Sequence, residues 1–286
     1  SWHYDKHVGF SFRIALRSSE GKGMNSELTG HREQTGGPVV VLGLARSGTS
    51  VVTGMLNILG VEMGPSIEDQ ANPRGSYEDI DFAKLHKEIF DATGTGRGYW
   101  NPPPREAILA LRAQFDAAVR ELLDSKGSAQ SLWGWKHPRT LLTYELFLPY
   151  LINPRFVLVF RNPLATALSS VEHTRKYRDP VDLSQALRLA HLYQAEMLRF
   201  LENHPEVAKL LVAYEDVLAD PAKEAAKMAG FLGLALSEEK ARAVAEFVLP
   251  REQLQMEKRK RRSFWRGKLP RLMHRWSDRA TRRRRG

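Results

Sequence analysis

Gly43-Leu44-Ala45-Arg46-Ser47-Gly48-Thr49-Ser50 follows directly on the apolar run Val39-Val40-Val41-Leu42, and the stretch from Thr49 to Leu59 reads as a helix. A short β-branched run, a turn framed by two glycines and a helical pattern together spell strand, loop and helix. Glycines let backbone N–H groups turn inward, and the helix N-terminus adds a positive dipole at the same place. The loop therefore predicts an anion site of the phosphate-cradling kind. Both glycines stand at the spacing of G-x-x-x-x-G-K-[ST], but Thr49 occupies the lysine position and the cation is Arg46, inside the loop.

Outward from this loop, short β-branched runs alternate with longer helical patterns, the signature of crossover units on a parallel sheet. Leu132–Lys136, Arg155–Phe160 and Leu210–Ala213 supply the further strands. Ile108, Leu111, Phe115, Val119 and Leu122 recur at helical spacing and predict one amphipathic helix from about Arg105 to Leu123. Asn162-Pro163 offers a cap and an N1 proline to the next helix, while Asp182 with Gln185 opens a long one to about Asn203. Helices over Asp220–Leu232 and Ser237–Phe247 complete the body. The expected fold class is α/β: a P-loop-containing three-layer α/β/α arrangement with a central parallel sheet and a helical C-terminal extension. The strand ending at Phe160 runs into Arg161 rather than into an aspartate that would help hold Mg²⁺, which counts against an ATP-driven kinase.

At 286 residues the chain has room for one large domain or two modest ones. Its 42% hydrophobic and 27% charged residues exclude a wholly disordered or fibrous chain. No apolar run approaches the roughly 18 residues of a membrane-spanning helix. The absence of cysteine excludes disulfides, thiolate catalysis and Cys-based metal sites, and fits a cytoplasmic location. The net charge of +10 is unevenly placed. Residues 251–286 hold 15 Lys and Arg against three acids, leaving 28 bases and 30 acids for the rest. We accordingly expect a poorly ordered lead-in over 1–37, with Met24 a candidate natural start, one domain over 38–250 and a basic tail over 251–286. In the tail, Trp265, Leu269, Leu272, Met273 and Trp276 share one helical face opposite Arg271, Arg275, Arg279 and Arg282, a pattern suited to an anionic membrane surface at the inner leaflet. A solvated tail is the alternative; no nucleic-acid fold motif accompanies the charge, so no specific nucleic acid is expected.

Gly43–Ser50 with Arg46, followed by Arg161-Asn162-Pro163 and Ser169, resembles the sulfotransferases that use 3′-phosphoadenosine 5′-phosphosulfate (PAPS). The resemblance implies that Arg46, Ser47, Gly48, Thr49 and Ser50 grip the 5′-phosphosulfate. It also implies that Arg161 and Ser169, eight residues apart, grip the 3′-phosphate. Leu211-Val212-Ala213-Tyr214-Glu215-Asp216 looks like the family's strand and Tyr-Glu-Asp turn, in which Tyr214 contacts the nucleotide. Trp133-Gly134-Trp135-Lys136-His137-Pro138-Arg139-Thr140 looks like the strand end that brings Lys136 to the sulfuryl group in bacterial and carbohydrate-type members. Asn72-Pro73-Arg74-Gly75-Ser76-Tyr77-Glu78-Asp79 resembles the segment carrying an aromatic followed by a catalytic glutamate. Lys258–Arg262 is a candidate to complete the 3′-phosphate site.

The chemistry fits these residue types. The moving sulfuryl group already spreads its charge over three oxygens, so in-line placement and cations at those oxygens carry catalysis, and no metal is required. Arg46 and Lys136 supply the cations. Glu78 is the expected base for an acceptor hydroxyl, with His137 the runner-up, and Glu78 alternatively a first-turn acid of the helix beginning near Asp79. The expected acceptor is a carbohydrate or glycolipid. Two alternatives stay open: a P-loop nucleotide or small-molecule kinase, and a non-catalytic nucleotide-binding protein with a membrane- or nucleic-acid-binding tail.

Overall fold

The computed structural model of the chain describes residues 37–64, 75–126 and 132–248. Strands β1 (Val39–Leu42), β2 (Gly134–Lys136), β3 (Arg155–Phe160) and β4 (Ala208–Ala213) form one parallel sheet in the order β2-β1-β3-β4. Val40 of β1 stands opposite Trp135 of β2 and Phe156 of β3, and the next rung aligns Val41, Lys136 and Val157. Successive strand side chains face opposite ways, so β1 feeds two cores. Val40 and Leu42 join Trp135, Phe156 and Leu158 on one face. Val39 and Val41 join Val157, Val159 and Val212 on the other. Burial on both faces is why these strands read as continuous apolar runs rather than alternating ones.

Helices close each face. On the Val40 side lie α2 (Ile80–Ala92), α3 (Arg105–Leu109), α4 (Arg112–Lys126), α5 (Thr140–Phe147) and α7 (Leu183–Asn203). The Val41 side is covered by α1 (Thr49–Leu59), α8 (Tyr214–Ala219), α9 (Pro221–Leu232) and α10 (Glu238–Phe247). Helix α6 (Pro163–Tyr177) packs on α7. The result is the three-layer α/β/α architecture that the sequence predicts. Caps also sit where the sequence places them. The Asn162 side chain accepts from the Ala165 amide at 3.1 Å with Pro163 at N1, and Asp182 accepts from the Gln185 amide at 2.7 Å, each such cap contributing about 1 kcal/mol.

One predicted helix is two. The run from Arg105 breaks after Leu109, where the Leu111 amide bonds the Ile108 carbonyl three residues back, and α4 begins at Arg112. Arg105 pairs with Glu145 of α5 at 2.5 Å, and Arg112 donates to the Glu145 carbonyl at 3.3 Å. These ties hold the junction against α5 while Ile108 and Phe115 enter the same core. Periodicity alone is blind to such a tightened turn.

Strand order places the site. The chain leaves β1 for β2 on one side and then crosses to β3 on the other, so a crevice opens where their carboxyl ends diverge. The segments after β1, β2, β3 and β4 all reach that end of the sheet. The lead-in over 1–36, Asn72–Arg74 and the basic tail with Lys258–Arg262 and its expected helix lie outside the described residues. Among the described residues no helix is long and apolar enough to cross a membrane.

Candidate active site

The β1–α1 loop is a tight turn. Ser47 Oγ donates to the Leu44 carbonyl at 2.6 Å, and the Ser47 amide reaches the same oxygen at 3.2 Å. Arg46 holds a left-handed φ of 70°, a conformation that costs a non-glycine residue about 1 kcal/mol or more and tends to occur at working sites. Gly48 takes the N-cap position of α1 at φ 98° with no side-chain cap, which leaves the first α1 amides facing the loop. It must be glycine for a second reason. A Cβ there would run into the ring of Tyr214, which the β4–α8 junction lays against the loop.

Arg161, at the end of β3, donates from Nη1 to the Arg46 carbonyl at 3.0 Å, and its guanidinium lies over the Tyr214 ring at 4.9 Å. Arg46 Nε donates to Ser169 Oγ of α6 at a long 3.4 Å. The loop, Arg161, Ser169 and Tyr214 are thus one cluster. Burial first, and the neighbouring Arg161 second, push the Arg46 guanidinium below its ordinary pKa. Two arginines within electrostatic range of each other at one loop favour an anion there. Thr49 is buried, and Ser50 Oγ turns to the Ser76 carbonyl at 3.3 Å, tying α1 to the segment before α2.

That segment forms the second cluster. Tyr77 is buried in a left-handed conformation (φ 52°), the second strained non-glycine residue at this end of the sheet. Asp79 caps α2, its carboxylate accepting from the Asp81 amide at 2.9 Å and the Phe82 amide at 3.4 Å. Lys126 of α4 clamps Asp79 and Asp81, at 2.8 Å each. With the cap provided by Asp79, the Glu78 carboxylate is free to meet Lys136, whose Nζ donates to Glu78 Oε1 at 2.7 Å. Lys136 is only 2% exposed against 35% for Glu78. Burial lowers the Lys136 pKa, the Glu78 carboxylate opposes that shift, and Arg46 adds to it, which places Arg46 within electrostatic range of the pair.

His137 goes elsewhere. It stacks on His86 of α2 at 4.7 Å between ring centroids, and its Nδ1 accepts from the Arg139 amide at 3.2 Å. Neighbours on an extended strand face opposite ways. Lys136 accordingly turns to Glu78 while His137 enters the α2 side. Burial, His86, Arg139 and Lys136, in that order, hold His137 well below its ordinary pKa. His86 is bracketed by Thr140 Oγ1 at 2.9 Å and Thr143 Oγ1 at 3.0 Å. Trp135 Nε1 donates to Thr140 at 3.2 Å and Thr143 donates to the Arg139 carbonyl at 3.2 Å, so the assignment that pairs every donor is a neutral imidazole protonated on Nδ1. Burial drives the His86 pKa down to about 3.

Sequence reasoning missed Tyr99. It lies between α2 and α3, and its buried hydroxyl is within electrostatic range of Glu78 and Arg46. An aromatic pair, Tyr99-Trp100, set between Gly-Arg-Gly and Pro-Pro-Pro is the only signal, and it lies off every helix and strand period. Lys126 was likewise invisible, because its partners lie 45 and 47 residues away.

A fold of this class with an arginine-bearing loop between β1 and α1 is matched by the family model described as Sulfotransferase family over residues 38–238. The chain belongs to the sulfotransferase family, the enzymes that draw a sulfuryl group from PAPS. No curated protein matches the sequence. Similar solved structures include the sulfotransferase domain from the curacin biosynthetic pathway, at 15% identity and TM-score 0.47, covering 73% of this chain and 77% of that one. A sulfotransferase from Alicyclobacillus acidocaldarius is similar at 16% identity and TM-score 0.45, covering 74% and 91%. A mouse sulfotransferase complexed with PAP is similar at 13% identity and TM-score 0.44, covering 76% and 64%.

Proposed function

We propose that this sulfotransferase moves the sulfuryl group of PAPS to a hydroxyl of a carbohydrate or glycolipid, with Glu78 as general base. The reading rests above all on the buried Lys136 paired at 2.7 Å with the partly exposed Glu78, within electrostatic range of the arginine of the β1–α1 loop. When bound, PAPS supplies an activated sulfur whose bridging oxygen leaves with the 5′-phosphate of adenosine 3′,5′-bisphosphate (PAP). The residues present suit that nucleotide: two arginines at one loop for its phosphates, and a tyrosine ring that only a glycine loop can accommodate.

The residues then divide the work. Gly48, Thr49 and Ser50 offer amides at the α1 N-terminus to the 5′-phosphate, and Ser47 fixes the turn. Arg161 and Ser169 hold the 3′-phosphate, while Tyr214 contacts the base. Arg46, a planar fork, neutralises charge developing on the leaving oxygen. Lys136 has three N–H donors, and one engages Glu78, so two remain for sulfuryl oxygens. Glu78 takes the proton as the acceptor oxygen forms its bond to sulfur and the old S–O electron pair passes to the 5′-phosphate. His137 supports Lys136 from behind, since its ring is occupied with His86.

The acceptor class follows from the likeness of Trp133–Lys136 and Tyr77-Glu78 to carbohydrate-type members. It is tested by following PAP release from PAPS with glycans, glycolipids and phenols as acceptors. Transfer to a sugar hydroxyl, lost in Glu78→Gln, supports the reading; transfer confined to phenols contradicts it. The tail over 251–286 is proposed to hold a cytoplasmic enzyme on an anionic membrane. Salt-sensitive binding to phosphatidylserine vesicles, abolished by deleting residues 263–286, is the expected result.

A further inference from the structure

Three buried side-chain polar atoms among the described residues have no hydrogen-bond partner: Tyr99 Oη, Tyr193 Oη and Arg139 Nε. They are neighbours. Tyr193 of α7 is within electrostatic range of Tyr99 and Arg139, and Tyr99 of Arg139. A buried donor without a partner is destabilising by an amount comparable to a lost hydrogen bond, so such groups mark a role the ligand-free protein does not show. Tyr99 also lies within range of Glu78 and Arg46. The Ala45 amide of the loop approaches the hydroxyl oxygen, which sets Tyr99 against the turn that carries Arg46 and leaves its O–H proton without an acceptor. Tyr193 lines a cavity with Ser47 and Arg161 on the nucleotide side of the loop, so Tyr99 is the one of the two tyrosines within range of the Glu78 carboxylate.

Its carrier suits the task. Gly94 and Gly96 have left-handed φ of 63° and 62°, and with Gly98 they meet nothing where a side chain would stand. The approach of the segment is thus set by backbone. Trp100 packs edge-on against the Tyr99 ring at 5.0 Å, and Pro102, Pro103 and Pro104 stiffen the exit into α3. The ring is held in place while the hydroxyl proton has nowhere to go.

On the reading given under Proposed function, the reacting sulfur must lie between the cations that hold its oxygens, Arg46 and Lys136, and the carboxylate that receives the acceptor proton, Glu78. Tyr99 Oη is within electrostatic range of two of these three groups, Arg46 and Glu78, and lies against the loop that carries Arg46. We propose that Tyr99 is a further catalytic residue, donating a hydrogen bond to an oxygen of the transferring sulfuryl group. Burial raises the phenol above its ordinary pKa, so it stays a neutral donor at all working pH values.

PAP lacks the sulfuryl group, which makes the test independent of the acceptor and of turnover. Calorimetric titration of the full-length protein with PAPS and, separately, with PAP is compared for wild type, Tyr99→Phe and Tyr193→Phe, with thermal midpoints recorded for each. A hydrogen bond to a charged group carries roughly a 10- to 100-fold effect. Tyr99→Phe should weaken PAPS by about that factor, leave PAP unchanged and leave the midpoint level or higher, whereas Tyr193→Phe should leave the PAPS-to-PAP ratio alone. Equal weakening of both nucleotides, the same ratio change in Tyr193→Phe, or no change at all in Tyr99→Phe overturns the assignment. A wild type that binds neither nucleotide overturns the underlying reading, and this inference with it.

Discussion

The two halves of the site are built differently, one around a motif and one without. The anion-binding half is centred on one eight-residue loop that carries its own geometry, and onto it Arg161 closes over 115 residues, Ser169 over 123, and Tyr214 from the end of β4. The chemical half has no such centre: Lys136 at a strand end meets Glu78 of the segment before α2 over 58 residues, and Lys126 of α4 meets Asp79 over 47. A loop's geometry can be encoded in a motif, whereas a carboxylate and its buried cation must be brought together by packing. The first half is expected to govern nucleotide affinity and the second the rate.

Substitutions should split along that line. Glu78→Gln, which keeps the shape and removes the base, is expected to lower kcat by about 10²- to 10⁴-fold while PAP affinity stays within twofold of wild type, roughly the range of general-base catalysis. A parallel loss of affinity would merge the two halves. Arg161→Ala should weaken PAP by about 10- to 100-fold, as expected for a charge-assisted contact, with kcat at saturating PAPS far less affected. Gly48→Ala sets a Cβ against the Tyr214 ring at a φ of 98°, and should destabilise the fold by about 1–3 kcal/mol in urea unfolding and weaken PAP with it.

The smallest effect concerns the histidine pair behind Lys136. The folded-state pKa of His86 is about 3, below the roughly 6.5 of an unfolded chain. The unfolded state therefore binds the proton first, so stability is complete above pH 6.5 and falls as pH drops below it. The loss should reach at most about 1.4 kcal/mol per pH unit from this group, with His137 acting in the same direction. Thermal midpoints measured from pH 7.5 to 5 should decline, and His86→Gln should flatten the slope. A midpoint that holds level over that window would mean the imidazoles are not buried as neutral groups.

Legibility in the sequence followed the same division. Strand β3 and helix α7 lie where composition and capping residues predict them, because Arg155–Phe160 is buried on both faces and Asp182 closes its own N-terminus. The loop glycines and Arg46 were readable for the same reason: a strand–turn–helix junction carries its geometry within eight residues. Glu78 and Lys136 were reached only through resemblance to known family segments. Tyr99 was not reached at all, since no period or motif marks a loop residue whose role depends on three other elements. The break between α3 and α4 escaped for a related reason, the ties to Glu145 being tertiary.

The account stands or falls on the nucleotide. The most direct measurement is calorimetric titration with PAP, in the presence of a chelator, beside ATP with Mg²⁺, on wild type and on Arg161→Ala. Binding of PAP without metal, tighter than ATP with Mg²⁺ and weakened about 10-fold or more by the substitution, is the predicted result. Preference for ATP with Mg²⁺, or PAP affinity indifferent to Arg161, would contradict it.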